Sequence, residues 1–284
     1  MQQFQTLRKI RSQDNTSEIK FSIATRVKNE FKWIKLFFDS LKAQTYYRYL
    51  DVVFLDSGST DGTLEFLEKE NCNLYSIASS EFSFGETCNL MMELTKGDHV
   101  LFFSGHVELE SQYLVEEVQK FIDKIGTLSG YFRQIPNEQV GCSIYDKVFL
   151  KYNFPASNST EPEMKVDNHR FSNAASIVSR SHWETIKFKP VIASEDAFWA
   201  DETVEKFGRI YYFHMFNVKH SHNETFDEVK KRVGINVLAR YPSGVGFLQR
   251  KFIFTKVFSA LFINTFELVN SYKFAVAHSS AYKI

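Results

Sequence analysis

The sequence lacks the features that stabilise small secreted proteins and those that anchor membrane proteins. Its three cysteines, Cys72, Cys88 and Cys142, are odd in number and have no CxxC spacing, which argues against a disulfide framework and a zinc ribbon. No apolar run reaches the roughly 18 residues that a membrane-spanning helix needs, because Lys256 interrupts the best candidate. Residues 1–15 contain no apolar segment of the kind found in signal peptides. We therefore expect a cytoplasmic protein that does not span a membrane.

The chain also lacks net charge. Among its 284 residues, 34 lysines and arginines balance 34 aspartates and glutamates. No overall attraction to nucleic acid is therefore expected, and any attraction to a membrane must be local. Aromatic residues are abundant, with 29 phenylalanines. A chain of this size is long enough to bury a substantial core, and no linker rich in glycine or serine separates two domains.

Strand-like and helix-like segments alternate between residues 21 and 133, which predicts a parallel sheet with right-handed crossovers. Beyond residue 133 the alternation breaks down, and the polar stretch at 153–171 predicts an exposed loop. The predicted strands are 21–25, 50–55, 73–78, 99–103, 174–179, 209–214 and 218–221, and the predicted helices are 30–43, 63–70, 86–96, 114–125 and 194–207.

The most informative segment is LDVVFLDSGSTDGT at residues 50–63, which leads from an apolar strand through an acidic turn into a helix. Asp56 stands at the carboxyl end of the strand, where open α/β sheets bind ligands, so its carboxylate is placed to contact a nucleotide base or ribose. A well-capped turn without a ligand is the alternative interpretation. Ser104-Gly105-His106 follows a later predicted strand and is therefore expected at the same sheet edge.

Histidines and carboxylates supply candidate chemistry. His106 with His220 or His222 could hold Mn²⁺ or a similar ion, although a lone histidine is more often structural. Glu195 and Asp196 open a predicted helix, where two carboxylates could supply a general base and a hydrogen-bond acceptor. Acidic residues are also common there for helix stability alone. Trp199, one turn further on, either packs in the core or forms a wall for a sugar ring.

Seven short motifs follow one another along the chain: TRVKNE at 25–30, DSGSTDGT at 56–63, FSFGETCN at 82–89, GDHVLFFSGHVEL at 97–109, FSNAASIVSRSHWE at 171–184, SEDAFWA at 194–200 and HSHNETF at 220–226. In this order they resemble the motifs of the inverting family 2 glycosyltransferases. The match is closest to bacterial rhamnosyltransferase-like enzymes of O-antigen and capsule assembly. It covers about residues 21–235, and seven ordered motifs are far more specific than any one of them.

The resemblance implies the GT-A fold, an α/β fold with a Rossmann-like, mostly parallel central sheet flanked by helices, here with a C-terminal helical extension. It implies that Asp196 is the catalytic base beside Glu195, and that Asn173 faces the sugar or the acceptor. Trp199 joins Asn173 in that role if it forms a sugar wall. The resemblance also implies a set of nucleotide-sugar-binding residues: Thr25, Arg26, Glu30, Asp56, Gly85, Asn89, Ser104 and Gly105.

One motif departs from the family pattern. The family usually carries Asp-x-Asp after the fourth strand, whereas this chain carries Ser104-Gly105-His106. Some GT-A enzymes use Asp-x-His with a distant histidine as metal ligands, so His106 with His222 or His220 remains a candidate site for Mn²⁺ or Mg²⁺. Metal-independent catalysis stays open, as does a degenerate subunit that binds a nucleotide-sugar without catalysis. A zinc hydrolase would lack a recognisable three-ligand motif.

Three regions are predicted: an N-terminal arm at 1–20, a GT-A domain at 21–239 and a helical segment at 240–284. The last region carries six basic residues against Glu267 and is rich in phenylalanine, which suits an anionic membrane surface. A helix packed over the catalytic domain fits equally well. We expect the protein to transfer a sugar from a UDP- or dTDP-linked donor to a hydroxyl of a growing, lipid-linked surface polysaccharide. It would act without nucleic acid, in the cytoplasm or peripherally at the inner face of the cell membrane.

Overall fold

The computed structural model describes residues 4–15, 18–139, 141–167 and 169–283. The chain divides into two compact units. The first unit comprises Met1–Gln134, Ala156–Pro190 and Glu195–His220, and the second comprises Ile135–Pro155, Val191–Ser194 and Ser221–Ile284. The division into regions 1–20, 21–239 and 240–284 stays a prediction.

The described part of the first unit is built on one mixed sheet. Its strands are β1 Arg8–Arg11, β2 Phe21–Val27, β3 Leu50–Asp56, β4 Asn73–Ser76, β5 His99–Phe103, β6 Glu108–Leu109, β7 Gly130–Ile135, β8 Glu163–Lys165, β9 Ala175–Ser179 and β10 Ile210–Lys219. Their order across the sheet is β1-β4-β3-β2-β5-β9-β7-β10-β6, and β8 pairs with β10.

Strands β4, β3, β2 and β5 run parallel to one another, whereas β9 is antiparallel to β5. The expectation of a parallel sheet therefore holds for these four strands. Along the chain, β3 and β4 are added on one side of β2, and β5 is added on the other side. Strand order thus reverses between β2 and β5, which is the place where open α/β sheets form a ligand crevice at the carboxyl ends of their strands.

Ten α-helices complete the described chain. The first unit contains α1 Phe31–Lys42, α2 Thr63–Leu67, α3 Phe84–Leu94, α4 Leu114–Ile125, α6 Arg180–Thr185 and α7 Glu195–Phe207. The second unit contains α5 Ile144–Asn153, α8 Phe226–Arg240, α9 Phe247–Thr265 and α10 Leu268–Ser280.

Helix α1 shows why the first unit holds together. Its buried residues Ile34, Phe37, Phe38 and Leu41 recur at three- and four-residue spacing, so they form one apolar face directed at the sheet. The ring of Phe54 on β3 lies 5.7 Å from that of Phe38 and 6.2 Å from that of Phe37. Such aromatic packing fixes the height of the helix over the strand.

Most predicted elements of the first unit are confirmed within a few residues, and three features differ. The predicted strands 209–214 and 218–221 are one strand, β10. His214 and Asn217 look like a polar break in the sequence, yet His214 Nε2 bonds the Glu161 carbonyl oxygen and Asn217 bonds Arg133. The predicted loop at 153–171 contains β8, and the predicted arm contributes the edge strand β1.

The second unit is helical. Its apolar core is made by side chains from α5, α8, α9 and α10, which include Tyr145, Val229, Leu261 and Phe274. The segment before α8 is held by Glu224, which accepts three hydrogen bonds from the Arg232 guanidinium at 2.6–3.0 Å. Among the helices that the structure describes, none combines the length and apolar content needed to cross a lipid bilayer.

Candidate active site

The carboxyl edge of the parallel strands collects most of the predicted site residues. Val27 at the end of β2 is paired with Asp56 at the end of β3. Because β9 is antiparallel to β5, its first residue Ala175 pairs with Phe103 at the end of β5. The Ser104 amide accordingly donates to the Ala174 carbonyl oxygen at 3.2 Å. The loops after β3 and β5 and the loop before β9 therefore share one edge, as the sequence analysis expected for the first two.

Asp56 shapes the turn that follows β3. Its Oδ2 accepts the backbone amides of Gly58 at 2.9 Å and Ser59 at 3.1 Å, and its side chain is buried. Gly58 has a φ of +85°, a left-handed conformation that favours glycine. These bonds make the turn rigid and keep the Asp56 carboxylate at the sheet edge.

Glu195 and Asp196 begin α7 at the same edge, and the two carboxylates have different partners. Buried Glu195 pairs with Arg26 of β2, with 3.4 Å between Nη2 and Oε1. The Arg26 guanidinium also donates to the Phe84 carbonyl oxygen at 2.7 Å and to Thr87 Oγ1 at 3.0 Å. Arg26, predicted to bind the nucleotide, thus uses these donors to bind α3 and Glu195.

The Asp196 carboxylate is held by backbone amides. Its Oδ2 accepts the amide of Asn173 at 3.1 Å, and its Oδ1 accepts the amide of Ala197 at 2.7 Å. Burial, followed by the neighbouring charge of Glu195, raises the pKa of Asp196 from 3.8 to about 7, against the opposing effects of the two amides and Arg26. The residue remains partly exposed. A carboxyl group that titrates near neutrality suits proton transfer.

His106 and His220 face each other in the first unit. Their rings are stacked with centroids 5.0 Å apart, and the two Nε2 atoms are separated by 3.1 Å. Each Nδ1 points away from the pair, that of His106 to Glu30 Oε1 at 2.9 Å and that of His220 to Gln134 Oε1 at 2.7 Å. Because these oxygens accept, each Nδ1 carries the proton, and each Nε2 is left with a lone pair.

A proton shared by the two nitrogens, or a cation bound to both, would remove the repulsion between their lone pairs. Two nitrogens at about 2.1 Å from one metal ion and at a right angle lie about 3.0 Å apart, close to the 3.1 Å observed. Outer partners such as Glu30 and Gln134 orient metal-binding histidines in this way. Gly105 allows the loop after β5 to lie close to Val27 and Glu30, because a Cβ at this position would press on both side chains. His222 belongs to the second unit, where its amide donates to Asp146 Oδ2 at 2.9 Å.

Several predicted site residues have packing roles. Buried Asn89 uses Oδ1 to accept from Trp183 Nε1 at 3.0 Å and from the Phe188 amide at 2.9 Å, while its Nδ2 donates to the Phe188 carbonyl oxygen. At Gly85 a Cβ would overlap the Lys189 carbonyl oxygen, so close backbone packing explains this glycine. Thr25 is fully buried within β2.

Trp199, for which core packing and a sugar wall were both open, packs in the core. It is 1% exposed, its ring lies 5.2 Å from Phe188 and 5.4 Å from Phe171, and its Nε1 donates to the Ile186 carbonyl oxygen.

Sequence reasoning missed Gln134 and the role of Cys88 at this edge. Cys88 Sγ accepts from Asn173 Nδ2 at 3.4 Å and lies 3.8 Å from Glu195 Oε1. No motif marks Gln134, because its contact with His220 joins residues 86 apart in the chain. Cys88 lies inside the FSFGETCN motif, but the spacing of cysteines gave no reason to select it.

Comparison with known proteins identifies the family. Residues 22–171 match the family model described as Glycosyl transferase family 2. The O-antigen chain rhamnosyltransferase WbaN of Salmonella anatum is 25% identical over 180 residues, which are 61% of this chain and 57% of WbaN. The chain therefore spans less than two thirds of this relative's length.

Solved structures show the same fold. S. aureus TarS 1–349 in complex with UDP-GlcNAc superposes with a TM-score of 0.57 at 16% identity, covering 93% of this chain and 91% of TarS. The mannosyltransferase PcManGT from Pyrobaculum calidifontis, in complex with GDP-Man and Mn²⁺, gives a TM-score of 0.56 at 14% identity, covering 94% and 76%. The chain has the GT-A fold and belongs to glycosyl transferase family 2.

Proposed function

We propose that this protein is an inverting glycosyltransferase that moves a sugar from a nucleotide-sugar to a hydroxyl of a growing O-antigen or related surface polysaccharide. The observation that carries the proposal is Asp196, a partly exposed carboxyl group with a pKa of about 7 at the ligand-binding edge of the sheet. The name of WbaN supports the substrate class, and UDP-GlcNAc in TarS supports a nucleotide-sugar donor.

In the proposed reaction Asp196 takes the proton of the acceptor hydroxyl as its oxygen attacks the anomeric carbon. The new carbon–oxygen bond forms on the face opposite the diphosphate, whose bond to that carbon breaks, so the centre is inverted. The nucleoside diphosphate leaves with the bonding electron pair. A positioned general base is typically worth about 10²–10⁴-fold in rate. Asn173, whose amide bonds Asp196, orients the base in this scheme.

We place the donor over the edge formed by the ends of β2, β3 and β5. Ser104 and Gly105 directly precede His106, and Asp56 ends β3 at the same edge. UDP- or dTDP-linked sugars remain the donors that we propose. The edge is supported by the packing of Thr25, Gly85 and Asn89 and by the hydrogen bonds of Arg26. Glu30 acts through its hydrogen bond with His106.

The residues present fit a divalent cation. His106 and His220, both of the first unit, would hold it through Nε2. Imidazole nitrogen suits Mn²⁺ better than Mg²⁺, which prefers oxygen ligands. Bound there, the ion would offset charge on the departing diphosphate. The Mn²⁺ in PcManGT agrees with this use in the fold.

Metal removal tests this set. We expect EDTA to abolish transfer and Mn²⁺ to restore it better than Mg²⁺. Mn²⁺ should also raise the melting temperature of the wild type, because a ligand that binds the native state stabilises it. His106→Gln should lose that shift. His169→Gln, which removes a histidine bonded to Asp201, should keep it. Activity indifferent to EDTA and Mn²⁺ would remove the ligand assignment and favour metal-independent catalysis.

Asp196→Asn tests the base. This variant should keep donor binding, measured as a thermal shift with UDP- and dTDP-sugars, and lose about 10²-fold or more of turnover. Glu205→Gln removes an exposed carboxylate of the same helix and should behave as the wild type. Near-normal turnover in Asp196→Asn would remove Asp196 from its role. Donor binding without turnover or donor hydrolysis in the wild type would instead support a degenerate binding subunit.

We also propose that the second unit contacts an anionic membrane, where a lipid-linked acceptor would reside. Within the described helix α9, Leu261 alone is buried. Leu248 is 79% exposed, and Phe266, between α9 and α10, is 80% exposed with a φ of +56°, a strained conformation for an aromatic residue. Helices α9 and α10 also carry the basic residues Arg250, Lys251, Lys256 and Lys273. Exposed aromatic and aliphatic side chains among lysines suit anionic headgroups, which implies a peripheral position at the cytoplasmic face.

A further inference from the structure

Cys88 is a buried thiol that the proposed reaction does not use. It lies on α3 and is 0% exposed, yet its surroundings are polar. Asn173 Nδ2 lies 3.4 Å from its sulfur, and Glu195 Oε1 lies 3.8 Å from it. A cysteine that only fills space would be surrounded by apolar atoms, as buried cysteines generally are.

The thiol keeps its proton, which gives these contacts a direction. Burial raises the pKa of Cys88, and the charges of Glu195 and Asp196 raise it further, whereas Arg26 opposes them. The S–H group therefore donates to the Glu195 carboxylate, and the sulfur accepts from the Asn173 amide nitrogen. One side chain thus connects the two residues that flank Asp196.

Both residues bear directly on Asp196. The backbone amide of Asn173 donates to Asp196 Oδ2 at 3.1 Å, and Glu195 is its neighbour in the chain. On its other side, the Asn173 side chain accepts from Ser176 Oγ at 3.0 Å. Glu195 is fixed from β2 by Arg26. Without the thiol, the Asn173 side chain would keep its hydrogen bond from Ser176 of β9, and Glu195 would keep its ion pair with Arg26 of β2. The link between Asn173 and Glu195 through Cys88 would be lost.

We infer that Cys88 is a positioning residue for Asp196, which acts through Asn173 and Glu195 and does not touch the substrate. The inference rests on the proposed role of Asp196 as the base. It assigns to the cysteine of the FSFGETCN motif the task of holding the loop before β9 against the start of α7. If Asp196 is displaced, the rate of transfer should fall while the affinity for the donor is preserved, because other residues hold the donor.

Three cysteine variants test the inference. Cys88→Ala removes both polar contacts. Cys88→Ser retains a group that accepts from Asn173 and donates to Glu195. Cys72→Ala is the matched control, because Cys72 is equally buried but bonds the Leu67 carbonyl oxygen within the apolar core. All three are compared with the wild type for kcat, for the KM of the donor and for the pH dependence of kcat.

For Cys88→Ala we expect kcat to fall about tenfold, with the donor KM changed less than about twofold, since small misplacements of a catalytic group are costly. The acid limb of the pH profile should move to higher pH, because the Asn173 amide lowers the pKa of Asp196 and this hydrogen bond weakens once Asn173 is held less firmly. Cys88→Ser should recover to within about threefold of the wild type. Cys72→Ala should keep the wild-type kcat and pH profile.

The inference is overturned if Cys88→Ala matches Cys72→Ala in kcat, or if Cys88→Ser is as slow as Cys88→Ala with an unmoved pH profile. Should Cys88→Ala fail to fold, Cys88→Val, which keeps apolar volume without a polar group, replaces it under the same criteria. Asp196→Asn separates the two levels of the argument. Its near-normal turnover would end the proposed role of Asp196 as the base, and the inference with it, whereas its inactivity together with a normal Cys88→Ala would end only the role of Cys88.

Discussion

Asp196→Asn should stabilise the protein in neutral solution while it abolishes activity. The pKa of Asp196 lies at about 7 in the folded chain and at its ordinary value of 3.8 once the chain unfolds. The folded state therefore binds this proton more tightly. The stability that the protonated acid contributes is fully present below about pH 4 and is lost as the pH rises through about 7. Asparagine does not titrate, so the variant escapes this loss.

The magnitude follows from the two pKa values. A shift of about three units corresponds to about 4 kcal/mol in full. The wild type has already lost part of this stability at pH 5. The free energy of unfolding of Asp196→Asn relative to the wild type should therefore rise by about 2–3 kcal/mol between pH 5 and pH 8. Any cost of packing the amide is the same at both pH values and cancels. Asn173 still donates to the remaining carbonyl oxygen.

Urea unfolding at pH 5, 6, 7 and 8, followed by tryptophan fluorescence, measures this difference. Trp183 and Trp199 both report on the first unit, in which Asp196 lies. Glu205→Gln, an exposed carboxylate of the same helix, should show no such pH dependence. A difference between Asp196→Asn and the wild type that stays flat from pH 5 to pH 8 would show that Asp196 does not titrate near neutrality, and the argument for its catalytic pKa would fail.

Three further outcomes are expected. Gly85→Ala should destabilise the first unit by about 1–3 kcal/mol or prevent folding, seen as a lower melting temperature, because its Cβ would overlap the Lys189 carbonyl oxygen. Glu195→Gln should move the acid limb of kcat to lower pH, because the charge of Glu195 raises the pKa of Asp196. Phe266→Ser should reduce pelleting with anionic liposomes, since this apolar ring is 80% exposed.

Each of these outcomes has a matched control. Gly246→Ala adds a methyl group where nothing lies within 4 Å, so it should leave the melting temperature nearly unchanged. Glu205→Gln should leave the pH profile in place. Ile125→Ser removes an exposed apolar residue of the first unit and should not affect liposome binding. Equal effects of a variant and its control would contradict the corresponding explanation.

Much of the first unit could be predicted because its signals are local. Continuous apolar runs mark β2, β3 and β5, and apolar residues at three- and four-residue spacing mark α1 and α4. The rule that ligands bind at the carboxyl edge then places Asp56 and His106 together without any knowledge of packing. Elements defined by distant partners were harder. β10 looks interrupted until Glu161 and Arg133 are seen to bond its polar residues.

For the candidate site, the sequence named residues but predicted few of the contacts that their side chains make. The sequence named Arg26, Trp199 and His106, but it carries no information on where long or flat side chains point once the chain is folded. Arg26 turns to Glu195, and Trp199 packs between Phe171 and Phe188, each more than ten residues away from it in the chain. The partner of His106 remained open between His220 and His222 because both lie in the same short segment.

The adjacent carboxylates at the start of α7 have acquired different chemistry from their surroundings. Glu195 is paired with Arg26 and receives the Cys88 thiol, so its charge is compensated. Asp196 accepts the backbone amides of Asn173 and Ala197, and its burial together with the charge of Glu195 raises its pKa to about 7. In the proposed reaction Glu195, paired with Arg26, organises the site, and Asp196 accepts a proton at neutral pH.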